Sequence, residues 1–538
     1  MKKKRSGTHR KSVQTGEGSG DDRVSVLSNA AKRIEIWFPW IVGGLYVLLM
    51  GYLTFRYHRI GGLGVETDFY VELVPQAKKL LAGEFSPLNY GAKGPVYSIL
   101  LSLCYLFVRD YFTAGLLLNL AAGAVFLVTL YFLLRCVFNT ATAVIATLAA
   151  AFNHVFLSFT YQAASDLPFM ALCALSMLFL FRSGRKRDIA VSAVLGLSAF
   201  LTRYNGAFVA IGAVLFLALA DEPVRIRGKR IGLWVGIFLV TGLPWFIPNW
   251  IATGNPVHNE NYINIMLEFY GFGREGVSYE NWTDALPKEF TGVGDIILYD
   301  PVYFARHMGR NVAVHFVDDM KLLMGWRLGI FVIAGIFLSL VAGMDRKKLL
   351  FIAFGLFYFL ILTLVFYNVR FSLFLIAFYL PVAVWPLTSA RIAGFLKRRE
   401  WMPAAILMII VMSYAVTSSR DVYSQITQTP PYLEDLRDLG RALDKYEPDK
   451  TKKIIGRKPH VAYFAGLEAH MFPADVKTVP ELVGFCREYG IDYILYSGIE
   501  AGYRPDVRIL LAVDKKHPGL ERVYYNRFGV IYRIEKEQ

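Results

Sequence analysis

The sequence has few charged residues and almost no cysteine. Of its 538 residues, only 19% are Asp, Glu, Lys or Arg, and four are cysteine. The cysteines (Cys104, Cys136, Cys173 and Cys486) are scattered and form neither a disulfide framework nor a zinc-ligand pattern. The chain also lacks a P-loop, a dinucleotide-binding glycine fingerprint and a nucleophile elbow. These absences exclude a disulfide-stapled domain and leave nucleotide-dependent and serine-hydrolase chemistry without a motif.

Apolar residues are abundant instead. The sequence is 55% hydrophobic, its mean hydropathy is +0.39 and its formal net charge is +15. Apolar runs of about 18 to 23 residues recur, each long enough to cross about 30 Å of hydrocarbon. The Lys and Arg residues cluster in short loops between these runs, as the positive-inside bias predicts. We therefore attribute the net charge to membrane topology and predict no nucleic-acid partner.

The composition divides the chain into three parts. Residues 1–36 are polar and basic, and we predict a disordered cytoplasmic tail. Residues 37–418 form the predicted transmembrane module, with outer loops at 56–111 and 253–326. Residues 419–538 are predicted to be an extracytoplasmic α/β domain.

The short apolar segment 93–108 decides the topology. If it crosses the membrane, the basic loop 182–187 lies outside, against the charge rule. If it lies in the interface or re-enters, every basic loop faces the cytoplasm, and we adopt this assignment. It predicts a polytopic α-helical membrane protein with about eleven spans, a cytoplasmic amino terminus and an extracytoplasmic carboxyl terminus. The predicted spans are 37–55, 112–134, 141–160, 167–182, 189–202, 206–221, 231–252, 327–344, 348–367, 371–389 and 402–418, where the two spans around Arg203 could instead be one tilted or broken helix.

The carboxyl-terminal domain shows both periodicities. Residues 432–446 and 479–489 have helical spacing of apolar residues. The segments 454–464, 493–496, 522–525 and 530–534 have the composition of strands.

Three acidic residues lie at predicted outer ends of spans. Glu66 and Asp68 follow the first span in Glu-x-Asp spacing, and Asp166 precedes a later one. Carboxylates in these places can deprotonate an acceptor or bind a divalent cation beside a phosphate. Alternatively, Asp68 caps a helix that begins at Phe69, and Asp166 is a helix cap with a proline in the first turn. Taken singly, each acid fits either reading.

Three basic residues occupy the same predicted face. Lys93, Arg203 and Arg370 can neutralise a phosphate, or they can simply extend from span ends toward water. His258, at the start of the long outer loop, fits a substrate contact or an ordinary loop histidine. Because all these charges lie on one face rather than at the membrane midplane, a reaction at the outer surface fits better than transport.

These residues resemble, in order and spacing, the polyprenyl-phosphate-dependent glycosyltransferases of the GT-C superfamily, in the branch of protein O-mannosyltransferases and lipid A aminoarabinose transferases. The resemblance covers about residues 37–390. It is carried by the segments 66–68, 93–97, 165–168, 201–206, 244–249, 254–256 and 369–371.

The resemblance implies an inverting transfer of a sugar from a polyprenyl phosphate to a lipid, glycan or protein acceptor. Asp68 would be the base, with Glu66 and Asp166 as further catalytic acids. Lys93, Arg203 and Arg370 would bind the donor phosphate, and Tyr70, His258 and Asn261 would belong to the acceptor and substrate loops. No cofactor is certain; Asp68 and Asp166 would hold a divalent cation (Mg, Mn or Zn) if one is used. The alternatives are a polysaccharide polymerase or ligase with a lipid-diphosphate donor, and a non-enzymatic carrier of lipids or solutes.

Overall fold

The protein is mostly α-helical, as the apolar runs predict, with a small sheet near the carboxyl end. The computed structural model describes residues 20–182, 184–275, 277, 285–286, 289–389, 391, 402–428, 430–473 and 476–535. The helices before the sheet are α1 (Gly20–Tyr57), α2 (Val74–Leu81), α3 (Val96–Val108), α4 (Tyr111–Val137), α5 (Thr140–Ala151), α6 (His154–Thr160), α7 (Asp166–Arg182), α8 (Lys186–Phe200), α9 (Ala207–Ala218), α10 (Val224–Thr253), α11 (Tyr262–Met266), α12 (Val293–Tyr299), α13 (Pro301–Asp318), α14 (Gly325–Ala342), α15 (Arg346–Leu362), α16 (Val369–Ser372), α17 (Ile376–Val384), α18 (Met402–Thr427) and α19 (Pro431–Tyr446).

The helices account for the predicted spans. Each predicted span falls on one helix or on two consecutive helices. Within the described residues, five helices are long and apolar enough to cross a membrane, or six if α5 and α6, bent by 58°, form one span. The chain is therefore a multi-pass membrane protein, and the number of eleven crossings stays a prediction.

The first helix corrects the predicted amino-terminal tail. Helix α1 begins at Gly20, so residues 20–36 are helical rather than disordered. The apolar span that starts near residue 37 forms the helix first. Adding residues 20–36 only extends this existing helix, which avoids the cost of nucleating a new one. Residues 1–19 of the predicted tail lie outside the described residues.

Segment 93–108 forms a short helix. Helix α3 has 13 residues and ends at Arg109, whose φ of 60° is left-handed and breaks the helix. At 1.5 Å per residue, α3 is about 20 Å long, which is less than the thickness of the hydrocarbon core. The interfacial or re-entrant assignment of this segment stays a prediction.

A five-stranded mixed sheet organises the carboxyl-terminal part. The strands are β1 (Lys453–Ile455), β2 (Glu468–His470), β3 (Tyr493–Ser497), β4 (Leu520–Tyr525) and β5 (Gly529–Ile534), in the order β2-β1-β3-β5-β4. Strand β1 pairs in parallel with β2 and β3, whereas β5 pairs antiparallel with β3 and β4. The helices around the sheet are α20 (His460–Ala465), α21 (Val479–Glu488) and α22 (Gly498–Tyr503).

Successive residues of β1 face the two cores of this domain. Ile454 belongs to one apolar cluster with Leu436 of α19, and Ile455 belongs to another with Leu482 of α21. The predicted strand 454–464 is wrong beyond residue 455, because its second half forms α20. A short apolar run fits a strand or a buried helical turn, and Pro459 here begins the helix.

The carboxyl-terminal domain packs on the loop after α1. Ile60 is buried in the same apolar cluster as α19 and β1. His460 Nε2 lies 2.9 Å from the carbonyl oxygen of Gly61, and Lys458 donates to the carbonyl oxygen of Leu63 at 2.7 Å. The domain and the loop that carries Asp68 therefore lie on the same side of the molecule.

Candidate active site

Six charged side chains from distant parts of the chain meet in one place, and we call them the charge cluster. Three are carboxylates and three are cations. The members are Asp68, Glu72, Asp166, Lys93, Arg203 and Arg370.

Arg370 joins two of the carboxylates. Its Nε lies 2.9 and 3.1 Å from the two carboxylate oxygens of Asp166, and its Nη1 lies 2.9 Å from Oδ2 of Asp68. Arg203 donates to Oδ1 of Asp166 at 2.6 Å. Asp166 is therefore paired with two arginines, and Arg370 bridges Asp166 and Asp68.

Lys93 joins Asp68 to the third carboxylate, Glu72. Its Nζ lies 2.6 Å from Oε2 of Glu72 and 3.2 Å from Oδ2 of Asp68. Asp68 and Glu72 are four residues apart on the helical segment that begins with the π-helical turn Phe69–Leu73, so both reach the same side. Glu72 is a member that the sequence analysis missed, although its spacing from Asp68 was a usable signal.

A glycine brings Lys93 and Arg203 together. The amide of Val96 donates to the carbonyl oxygen of Leu201 at 3.1 Å. A Cβ on Gly94 would lie 2.2 Å from that same oxygen, so only glycine permits the approach. The turn that carries Lys93 is thereby fixed against the end of α8, two residues before Arg203.

The environment of Asp68 sets it apart from the other two acids. Its side chain is 37% exposed, against 19% for Glu72 and 4% for Asp166. Burial alone would raise the pKa of Asp68, but the charges of Lys93 and Arg370 outweigh it and hold that pKa well below its usual range. Asp68 is the carboxylate of the cluster that a molecule from solution can reach.

One nitrogen of Arg370 has no partner. Its side chain is only 10% exposed, and its Nη2 has no hydrogen-bond partner within the described part of the chain. The buried hydroxyl of Ser165, next to Asp166, is also without one. Because buried polar groups are nearly always paired, these atoms fit a polar ligand such as a phosphate oxygen.

Glu66 is predicted to be a catalytic residue, and its observed contacts lie with His58 and two backbone amides. It is buried, with both oxygens engaged: each lies 3.0 Å from His58 Nε2, Oε2 accepts from the Gly62 amide at 2.6 Å, and Oε1 accepts from the Ala163 amide at 2.7 Å. Ala163 precedes Asp166 by three residues. Glu66 therefore ties the loop after α1 to the segment before α7.

Only some of the predicted acceptor residues lie near the charge cluster. Tyr70 is buried outside the charge cluster, with its ring against Tyr463 (centroids 4.5 Å apart) and its hydroxyl accepting from the Gly61 amide. Asn261 donates to the carbonyl oxygen of Ala92 at 3.2 Å, directly before Lys93. His258 is half-buried in the same loop, and its carbonyl oxygen accepts from Asn249. The structure thus brings the loop of Asn261, but not Tyr70, to the cluster.

The capping alternatives do not account for these acids. Asp68 precedes the π-helical turn but makes no side-chain cap bond. The Asp166 carboxylate is held by Arg203 and Arg370. Both arginines are largely buried, at 11% and 10% side-chain exposure, so they do not simply extend into water.

The predicted cation site between Asp68 and Asp166 does not fit this arrangement. The guanidinium of Arg370 occupies the bridging position, and a cation held by both carboxylates would have to displace it. Within the described residues, no group of three or more His, Cys, Asp or Glu side chains is placed to hold a metal ion.

Solved structures of two enzymes share this architecture. ArnT from Cupriavidus metallidurans, bound to undecaprenyl phosphate, matches with a TM-score of 0.59 and 13% identity, over 93% of this chain and 99% of ArnT. The oligosaccharyltransferase AglB from Archaeoglobus fulgidus, in complex with an inhibitory peptide and a dolichol-phosphate, matches with a TM-score of 0.56 and 12% identity, over 92% of this chain and 74% of AglB. The chain therefore shares the fold of these two proteins.

A family model narrows the likeness for part of the chain. Residues 92–251 match the family described as dolichyl-phosphate-mannose-protein mannosyltransferase. This segment contains Lys93, Asp166 and Arg203, whereas Asp68 and Arg370 lie outside it. No curated protein sequence matches the chain significantly. The resemblance seen in the sequence is confirmed at the level of the fold.

Proposed function

We propose that the protein is an inverting glycosyltransferase that moves a sugar from a polyprenyl phosphate to an acceptor at the outer face of the membrane. The observation that carries this proposal is the charge cluster, in which one accessible carboxylate shares its cations with buried ones. A carboxylate that can act as a base beside cations that can bind a phosphate suits glycosyl transfer from a lipid phosphate.

Donor binding activates the base in this proposal. Lys93 and Arg370 hold the pKa of Asp68 low, which makes Asp68 a weak base in the free enzyme. A donor phosphate competes for the same two cations, and the free Nη2 of Arg370 is available to it first. Once the phosphate takes up part of their charge, the pKa of Asp68 rises toward its ordinary value. Proton transfer therefore becomes efficient only when the donor is in place.

The chemical step is a single displacement. The acceptor oxygen or nitrogen attacks the anomeric carbon and loses its proton to Asp68. The bond between the anomeric carbon and the phosphate oxygen breaks on the opposite side, so the configuration inverts. The phosphate leaves with an additional negative charge, which Lys93, Arg203 and Arg370 stabilise. Asp166 holds Arg203 and Arg370 in place through its ion pairs.

The acceptor approaches from the exposed side of Asp68. The loop of Asn261 contacts the turn of Lys93, and the carboxyl-terminal domain contacts the loop before Asp68. Both are placed to line the acceptor path, and their contacts support the topology that puts the carboxyl terminus outside. A sugar of either hexose or pentose type fits this chemistry, as does a lipid, glycan or protein acceptor.

No step is assigned to a metal ion. Another structure of the Archaeoglobus fulgidus oligosaccharyltransferase, with a TM-score of 0.54 and 15% identity, is a complex with zinc and sulfate. In this chain Arg370 bridges the two carboxylates that would coordinate such an ion. The positive charge beside the leaving group is therefore supplied by side chains.

The test is transfer of labelled sugar from polyprenyl monophosphate and diphosphate donors, in membranes with wild type, Asp68→Asn or Asp166→Asn. We expect transfer from the monophosphate, and a loss of about 10²-fold or more in both variants at equal expression, because each removes a charge from the cluster. Transfer from the diphosphate alone would favour the polymerase or ligase. Full activity of Asp68→Asn would exclude Asp68 as the base, and flux into sealed vesicles without transfer would favour a carrier.

A further inference from the structure

A second buried carboxylate lies beside the charge cluster, and the proposed reaction does not use it. Asp319 begins the π-helical turn Asp319–Leu323 at the end of the long outer loop, and its exposure is 0%. The hydroxyl of Tyr379 lies 2.8 Å from Oδ2, and the hydroxyl of Tyr367 lies 3.2 Å from Oδ1. The nearby Ser372 hydroxyl lowers the pKa of this carboxyl.

These hydroxyl groups surround Arg370 in the sequence. Tyr367 lies three residues before it, and Tyr379, in α17, lies nine residues after it. Asp319 is therefore hydrogen-bonded to both sides of the short segment that carries Arg370. Within that segment, Asn368 accepts from the Arg370 amide, and the Tyr358 hydroxyl donates to the carbonyl oxygen of Phe371 at 2.7 Å. Helix α16 has only four residues, so its position depends on such outside contacts.

We propose that Asp319 is a positioning residue that holds the segment 367–372, and with it the guanidinium of Arg370, against the charge cluster. The proposal rests on the proposed function for its kinetic consequences, but not for its structural ones. Asp319 touches no member of the cluster, and it acts through its hydrogen bonds on both sides of the segment.

The charge state of Asp319 decides how many hydroxyl groups it can hold. As a carboxylate it accepts from Tyr367 and Tyr379 at once; once protonated, it must itself donate and loses one acceptor position. Desolvation by burial raises the pKa of Asp319 to about 7, although the hydroxyl groups oppose the shift. The segment is therefore held fully above this pH and less firmly below it.

The other titratable groups around Asp319 are few. Asp318 precedes it and raises its pKa further. His315, one turn earlier in α13, packs its ring against Tyr367 with centroids 5.2 Å apart. Lys321 points away, with its Nζ over the Trp326 ring. No cation within the described residues forms an ion pair with Asp319, which is why the carboxylate has a raised pKa.

The experiment compares Asp319→Ala, Asp319→Asn and Tyr379→Phe in the full-length protein, with Asp318→Asn as the matched control. Hydrogen–deuterium exchange of peptides covering 366–373 reads the segment directly, without any donor. We expect faster exchange there for Asp319→Ala and Tyr379→Phe than for wild type. For Asp318→Asn we expect the same exchange rate as for wild type. Where transfer is measurable, kcat of Asp319→Ala should fall by about 10²-fold with a nearly constant KM for the acceptor, because Arg370 is displaced from the leaving group.

The pH profile and the stability separate positioning from a merely structural role. Wild-type kcat should fall as the pH drops through about 7, and Asp319→Asn, which cannot titrate, should lose this limb. Removing a buried charge should leave the thermal stability of Asp319→Asn at pH 8 equal to or above that of wild type, while its kcat is lower. Unchanged exchange in 366–373 for both Asp319→Ala and Tyr379→Phe would overturn the proposal, whether or not transfer is found.

Discussion

Asp68 contacts Arg370 directly, and Asp319 acts on it in our proposal through the segment that carries it, but the surroundings of the two carboxylates differ. Asp68 contacts the guanidinium of Arg370 and the ammonium of Lys93, and its pKa lies well below the usual range despite its partial burial. Asp319 contacts only hydroxyl groups, and burial raises its pKa to about 7. The same side chain is thus charged at neutral pH in the free protein in one place, and able to titrate near neutral pH in the other.

The difference shows what each site can do. Ion pairs stabilise the charged form of Asp68, so its reactivity depends on which other anion shares its cations. Hydroxyl groups stabilise Asp319 less, so its charge depends on pH. A carboxylate that must become a base on donor binding needs neighbouring cations that the donor can also bind. A carboxylate that holds a segment in place needs neutral hydrogen-bond donors in fixed positions.

Replacing Arg370 should have the largest effect, because it removes the residue that links Asp68 and the proposed role of Asp319. Arg370→Met leaves Asp166, which is 4% exposed, without its two hydrogen bonds from Nε, and it leaves Asp68 without Nη1. We expect transfer to fall by roughly 10²- to 10³-fold. The free energy of unfolding should fall by about 1.5–3 kcal/mol, the cost of lost hydrogen bonds to a charged group, because Asp166 keeps its ion pair with Arg203. Transfer assays and thermal unfolding in detergent measure the two effects.

The control for this prediction is Arg310→Met on helix α13, where the arginine is exposed. It should change neither activity nor stability measurably. Equal stability of Arg370→Met and wild type would show that Asp166 is not dependent on the bridge.

Removing Lys93 should sharpen the comparison by making Asp68 more like an ordinary carboxylate. Since Lys93 lowers the pKa of Asp68 below its ordinary value of 3.8, Lys93→Met should raise it. Asp68 must be ionised to accept a proton, so the acid limb of kcat/KM should lie at higher pH in the variant, with the rate about 10- to 100-fold lower at neutral pH. The measurement is kcat/KM for the acceptor from pH 4 to 8 in the Asp319→Asn background, which lacks the limb near pH 7 that Asp319 causes.

Lys79→Met is the matched control, because Lys79 is exposed and donates only to Asn89 among its described contacts. In the same background, its pH profile should equal that of Asp319→Asn alone. An acid limb that stays in place in Lys93→Met would mean that Lys93 does not set the charge of Asp68.

The sequence was sufficient to find most of the charge cluster. Asp68, Lys93, Asp166, Arg203 and Arg370 are separated by as many as 302 positions, yet a consistent topology placed them on one face. A topology fixes the side of the membrane but not the contacts. It therefore did not show that Glu66, two residues from Asp68, faces backbone amides instead of the cluster.

Asp319 marks the limit of sequence reasoning here. It is one of several acids in a long loop, and nothing in its neighbourhood shows that Tyr367 and Tyr379 lie against it. Burial and partners are properties of the packed chain, and the raised pKa follows from them. The helical periodicity of 432–446 was confirmed in α19, whereas the run 454–464 was misassigned because apolar composition alone does not separate a strand from a buried helical turn.

Removing divalent cations should have the smallest effect of all. Arg370 lies between Asp68 and Asp166, where a cation would bind, so the charge that balances them is covalently part of the chain. We expect transfer by wild type to stay within about twofold after treatment with excess EDTA and dialysis, because a guanidinium is charged at every accessible pH and cannot be extracted. A large loss that Mn, Mg or Zn restores would show that a cation displaces Arg370 during turnover, and Asp68 would then owe its low pKa to the metal rather than to its arginine.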